Sequence, residues 1–331
     1  MGKSICNGVI SCTVALGLLL LSTLPVASAE KPILRIAYLP ILDHLTLPIA
    51  YELSDKGKFE HLTLQPVKYT SWTALGEAVL TGKVDGAFIL VPLGMHLRQK
   101  GTPIKLVLLG HRNGSALVVS TATKSIEGLK GGLLAVPHLF SMQHINLYKY
   151  LIEKGHLCKE DFTVLEMAPP DMAPSLARGE IDGFLAAQPF PTLAEVTDTG
   201  RIMAYSCEIW EGHVDCALFL LESVLGANHD RVEELTKALV NAGKFIESNP
   251  RKAARLAVPY IGLDEEIIYK CLTDPPRGIT YNELAPRMEE LEEVQGYLIR
   301  MGLFEKEMSL KELIDDSFAR AAYERGRGIR D

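Results

Sequence analysis

Ser71-Trp72, at the head of an apolar-periodic segment, is the pair best suited to chemistry in this chain. A helix start leaves backbone N–H groups unpaired at the positive end of the helix dipole, so it favours an anion, while an adjacent indole can wall a pocket. The same two residues have a purely structural use, with Ser71 as N-cap and Trp72 as core. His144 opens a second amphipathic segment, where it either donates to a ligand or is solvated near a helix end. His138 and Phe140 share the loop before it. Arg112 offers a bidentate partner for a carboxylate or oxyanion, or else a surface ion pair. These residue types support recognition of a small molecule. No GxSxG elbow, HExxH pair, P-loop or post-strand GxGxxG occurs, and the glycines at 128–132 precede a strand instead of following one. A catalytic route is left only to a dyad assembled from distant residues. No CxxC or other zinc spacing is present, so neither metal nor cofactor is expected.

Such residues need elements to hold them, and the chain writes one positioning device twice. Gly82-Lys83-Val84-Asp85-Gly86 is followed by the apolar run 87–91 and Pro92; Gly179-Glu180-Ile181-Asp182-Gly183 is followed by residues 184–188 and Pro189. Each copy reads as a helix stopped by a glycine able to take positive φ, an Asp-Gly turn, a buried strand and a terminating proline. Asp85 and Asp182 read as turn and cap residues bonding nearby backbone N–H groups. Two copies imply two α/β lobes with a cleft between them, and open α/β sheets bind ligands outside the carboxyl ends of their parallel strands.

Strand-like and helix-like segments alternate along the chain, as a mostly parallel sheet requires. Strands are expected at 34–40, 62–69, 87–91, 104–109, 133–136, 162–167, 184–188, 201–209 and 217–222, with helices at 48–56, from Ser71, at 143–154 and at 171–178. Beyond residue 230 the composition turns helical and charged, with segments 230–248, 250–258, 285–301 and 309–321 packing outside the first lobe and a frayed end at 325–331. The first lobe comprises 30–118 and 217–331 and the second 119–216, with hinges near 114–120 and 212–217. Residues just past each strand should line the cleft: 40–44 with Leu42 and His44, 69–72, Val91 and Pro92, 110–112, 138–144 with Phe140 and His144, and Gln188 to Phe190.

Lys3, the apolar run 14–21, Pro25 and Ala27-Ser28-Ala29 form the pattern of a secretory signal peptide over residues 1–29. Its cleavage would place the chain in the periplasm, since the run is too short for a comfortable membrane span. A formal charge of −7 and no basic stretch argue against nucleic acid as a partner. An oxidising compartment allows Cys207 and Cys216 to bond if two strands bring them together, and equally allows free, buried thiols.

Ser71-Trp72-Thr73-Ala74-Leu75, the first Gly-x-Val-Asp-Gly-Ala copy, residues 139–151 with His144, and Pro169-Pro170-Asp171-Met172 leading to Gln188-Pro189-Phe190 are similar to exported solute-binding proteins of ABC importers. Among these the chain resembles the nitrate, sulfonate, bicarbonate, taurine and thiamine-precursor group, over residues 33–302. The resemblance implies an α/β, two-lobed type II periplasmic-binding-protein fold with a hinge and an inter-lobe cleft. It also implies capture of a small-molecule solute, delivery to an ABC permease in the membrane, a monomer and no turnover. Trp72 and His144 are implied as ligand contacts, joined by Phe190. Nitrate and bicarbonate binders carry a lysine in the stretch corresponding to 211–216, and this chain has none there. His213, Arg112 and His144 are the expected substitutes for a bound anion, unless the solute is larger, less charged, or an organic anion. A cleft enzyme related to thiamine-precursor biosynthesis and a ligand sensor are the alternatives on the same fold.

Overall fold

The structure is a computed structural model describing residues 1–2, 31–227, 229–276 and 278–324. The signal-peptide pattern and the expected frayed end therefore lie outside the described residues. Twelve strands follow in chain order among these residues: β1 Ile33–Tyr38, β2 Thr63–Lys68, β3 Gly86–Leu90, β4 Ile104–Leu109, β5 Arg112–Asn113, β6 Ser115–Val119, β7 Leu133–Val136, β8 Thr163–Glu166, β9 Gly183–Ala187, β10 Arg201–Tyr205, β11 Cys216–Leu221 and β12 Ile279–Thr280.

Ten of them form two sheets of the same plan. The first runs β2-β1-β3-β11-β4 and the second, read from its far edge, β8-β7-β9-β6-β10. In each, three strands pair in parallel and the fourth runs antiparallel to both its neighbours. That fourth strand comes from the other half of the chain: β6 enters the second sheet directly from Gly114, and β11 returns to the first. The expected lobe boundaries fall inside β6 and at the start of β11. The stretch 114–120 is mostly this buried strand, not an open hinge loop, because its apolar run is hydrogen-bonded on both sides.

The repeated motif has a mechanical explanation. Gly82 and Gly179 end their helices at φ 65° and 69°. The Arg35 N–H donates to Asp85 Oδ2 at 2.7 Å and the Leu133 N–H to Asp182 Oδ2 at 2.8 Å, so each aspartate carboxylate fixes the neighbouring parallel strand. Gly86 and Gly183 begin strands wedged against the swapped-in strand. A Cβ on Gly86 would stand 2.6 Å from the Phe219 carbonyl oxygen, and one on Gly183 2.8 Å from that of Val118. Pro92 then sits in the first turn of the helix Val91–Gln99, and Pro189 precedes the helix Phe190–Val196.

Elsewhere the elements depart from the sequence pattern at their ends. The segment 201–209 is strand only to Tyr205 and then turns into the short helix Ser206–Ile209. The helix expected over 143–154 is α-helical over Met142–Tyr148 and continues as a π-helical turn, Lys149–Lys154. The segment 309–321 splits into Leu310–Leu313 and Ser317–Glu324, and a helix at Glu265–Thr273 was not anticipated. Leu235, Leu239, Leu291 and Leu298 of the C-terminal helices share one core with β1, β3, β4 and β11. No helix among the described residues is long and apolar enough to cross a membrane. Cys158, Cys207, Cys216 and Cys271 are all free.

Candidate functional site

A cavity of about 230 Å³ opens where the carboxyl ends of the two parallel triplets face each other. Every strand of both triplets contributes. From the first sheet come Leu39 to Ile41 and Asp43 after β1, Thr70 to Thr73 after β2, and Leu90 at the end of β3. From the second come Pro137 and His138 after β7, Glu166 and Met167 at the end of β8, and Ala187 with Phe190 at the end of β9. The walls are apolar and aromatic. Ser71 caps the helix Trp72–Leu80 by accepting from the Ala74 N–H at 3.2 Å, which turns Trp72 toward the cavity with its edge against His44. At the rim, His138 Nδ1 lies 3.4 Å from Glu166 Oε1 and accepts from the Phe140 N–H; burial lowers its pKa, with Glu166 opposing.

The floor is polar. Asp43 and Gln143 line it, and directly behind them Gln143 Nε2 donates to Asp215 Oδ2 at 2.9 Å and to Ser115 Oγ at 2.9 Å. Ser115 Oγ also donates to Asp215 Oδ2 at 3.3 Å. His111 Nε2 lies 3.4 Å from Asp43 Oδ2, and the Cys216 thiol points at the same oxygen from 3.7 Å. All of these groups are buried, and Asp43 Oδ1, Gln143 Oε1, Asp215 Oδ1 and His111 Nδ1 have no hydrogen-bond partner. Burial, then the nearby Asp43 carboxylate, pushes Asp215 up to about 8. Burial alone would lower the His111 imidazole, but the Asp43 and Asp215 carboxyls outweigh it and its pKa rises.

Of the residues expected to contact a ligand, Ser71, Trp72 and Phe190 line this cavity. The others do not. Leu42, His44 and Val91 are fully buried behind its wall, with His44 Nδ1 accepting from the Leu39 N–H at 2.9 Å; Pro92 is buried in its helix. Gln188 gives its side-chain oxygen to the Thr192 N–H at 3.3 Å. Phe140 stacks on His96 at 4.0 Å. His144 donates through Nδ1 to the Leu139 carbonyl at 2.9 Å and is held below its ordinary pKa by burial.

The three substitute cations are committed elsewhere. Arg112 is buried, donating to the Glu283 and Gly212 carbonyls and bidentately to Glu290 at 2.7 and 3.2 Å. His213 donates to the Trp210 carbonyl at 2.7 Å and accepts from Asn146, and burial drives its pKa to about 3. Both line a separate polar cavity beside Trp210 and Glu293. Sequence reasoning placed Asp43, Gln143 and His111 in cleft-lining stretches without singling them out, and missed Asp215, Cys216 and Glu166. The usable signal was position: each stands at the end of a core strand or at the start of the returning one.

Comparison with known proteins places this geometry in context. The chain is 30% identical over 251 residues to the nitrate import ATP-binding protein NrtC of Synechococcus elongatus, covering 70% of this chain and 38% of that protein. It thus spans well under half the length of that relative. Among solved structures, a ligand-binding component of an ABC-type import system from Staphylococcus aureus, with zinc bound, superposes with a TM-score of 0.81 at 22% identity, covering 88% of this chain and 99% of that one. The periplasmic nitrate-binding protein NrtA of Synechocystis gives 0.80 at 16% identity, with 89% of each chain covered. The desulfurization enzyme DSZB also shares the fold, with a TM-score of 0.64 at 13% identity over 90% of this chain and all of that one. These likenesses establish the two-lobed α/β periplasmic-binding-protein fold. The model of the NMT1-like family matches residues 27–260, and the chain belongs to that family.

Proposed function

We propose that this chain is the periplasmic solute-binding component of an ABC importer, closing two lobes on one small molecule and presenting it to a membrane permease. The observation that carries the reading is the symmetric cavity: three strand ends from each sheet supply its wall, so a solute seated there touches both halves and favours their closed arrangement. We take the lobes to divide at the two crossings into the regions set out from sequence. The fold alone does not separate capture from catalysis. Export by a cleaved signal peptide, a monomeric state and the absence of turnover belong to this reading.

The lining also bears on the solute. Among the described residues that line the cavity there is no lysine or arginine, and two of its floor residues, Asp43 and Gln143, carry buried acceptor oxygens without a partner, Oδ1 and Oε1. A bare anion such as nitrate would meet no fixed cation there. The walls suit a neutral or cationic organic molecule whose apolar body packs on Trp72 and Phe190 and whose N–H or O–H groups face the floor.

The test is a thermal-shift and calorimetric screen of the purified protein against inorganic anions, sulfonates, amino acids and organic amines. Melting temperature should rise with the concentration of one class, and Trp72→Ala should weaken that binding at least about tenfold. Failure of every class, with no carried-through ligand in mass spectra of the denatured protein, would sink the reading. Unchanged affinity in Trp72→Ala would move the site elsewhere.

A further inference from the structure

The cluster beneath the cavity floor does more than the solute reading asks of it. We propose that Asp43, His111, Asp215 and Cys216 form a closed site for one divalent cation of the zinc type. Each residue offers one ligand atom, the four atoms lie within 4.8 Å of one another, and all four residues are buried. Two carboxylates, an imidazole and a thiol are the mixed oxygen, nitrogen and sulfur set that suits zinc, whereas calcium and magnesium take oxygen donors.

The spacing agrees. Bonds of about 2.0 Å to nitrogen and oxygen and about 2.3 Å to sulfur, at the tetrahedral angle, separate N from O by about 3.3 Å and S from O by about 3.5 Å. His111 Nε2 and Asp43 Oδ2 are 3.4 Å apart, and Cys216 Sγ and Asp43 Oδ2 3.7 Å.

Asp215 supplies an independent indication. Its Oδ2 is oriented by Gln143 and Ser115, yet its Oδ1, on a residue with no exposed surface, has no partner. One oxygen held by outer hydrogen bonds and the other left open is how a ligating carboxylate is presented. An ion pair between His111 Nε2 and Asp43 Oδ2 would still leave Asp215 Oδ1 bare. The bound cation would tie the loops after β1 and β4 to the crossing into β11, beneath the solute.

The experiment strips the full chain with a chelator and titrates it with Co²⁺ and then Zn²⁺. One cobalt per chain should bind with a near-ultraviolet thiolate-to-cobalt charge-transfer band and the strong visible bands of tetrahedral cobalt, all bleached by one equivalent of zinc. Cys216→Ser should remove the charge-transfer band. Ser115→Ala, which touches no ligand atom of the metal, should weaken zinc about 10–100-fold. His229→Ala, at the exposed His229–Asp230–Glu233 cluster, should change neither. A stripped wild type without the charge-transfer band, a band surviving Cys216→Ser, or zinc binding abolished by His229→Ala each overturns the proposal. The wild-type spectrum needs no variant, so a substitution that unfolds the chain leaves the test intact. A silent solute screen would not touch this result, because the metal site stands whatever the cavity binds.

Discussion

Asp85 and Asp182 read in the sequence as turn and cap residues, and in the fold they act as strand clips, each accepting one backbone N–H of the adjacent parallel strand. Asp85→Ala should cost about 1 kcal/mol in urea unfolding and leave solute affinity unchanged. The glycines beside it separate two mechanisms. Gly82→Ala meets no neighbouring atom and suffers only its φ of 65°, a cost of about 1 kcal/mol. Gly86→Ala drives a methyl against the Phe219 carbonyl and should cost about 3 kcal/mol. Equal losses in the two variants would refute the wedge described for β3.

His144 gives a pH prediction. Burial keeps its folded pKa below the ordinary value of 6.5. An unfolded chain therefore takes up the proton first as pH falls. The stability from the neutral buried ring is complete above about pH 6.5 and is lost as pH drops through the lower folded value. His144→Asn can keep a donor toward Leu139 and should flatten the fall in stability as pH drops below about 6.5. An unaltered slope would mean that His144 is not the group titrating. Trp72 was legible in the sequence because it directly follows a capping serine. Asp43 and Cys216 were not, because the contact between them spans 173 residues and no local pattern reports it.

At the scale of elements, β3 and β9 announce themselves through an apolar run bracketed by glycine and proline. The apolar runs at β6 and β11 were visible too, but which sheet each joins is a matter of long-range pairing that periodicity does not encode. Arg112 illustrates the same gap. Sequence offered a ligand contact or a surface ion pair, whereas the chain buries it against Glu290 of the helix Met288–Arg300, a segment 178 residues away. Arg112→Ala would leave Glu290 only its exposed partner Arg287 and would strip the donor from the Glu283 and Gly212 carbonyls, so it should lower stability by about 3 kcal/mol. A double-mutant cycle with Glu290→Gln should recover part of that loss, and strict additivity would show the pair to be uncoupled.

For the whole molecule, one contact that reaches from the C-terminal helices to the second sheet's helices is centred on Tyr297. Its hydroxyl donates to Glu153 at 2.9 Å and accepts from Lys149 at 2.6 Å. If this contact belongs to the closed arrangement, Tyr297→Phe should weaken solute binding about fivefold, from a hydrogen bond worth about 1 kcal/mol, without lowering the melting temperature of the free protein as much. Small-angle scattering should show the radius of gyration shrinking when solute is added to the wild type. The exchanged strands carry a different kind of consequence. A half-length chain with this topology would leave a gap in its own sheet that only a second copy could fill. The doubled glycine–aspartate–glycine signature therefore marks two copies of one unit, neither of which completes its own sheet without a strand lent by the other.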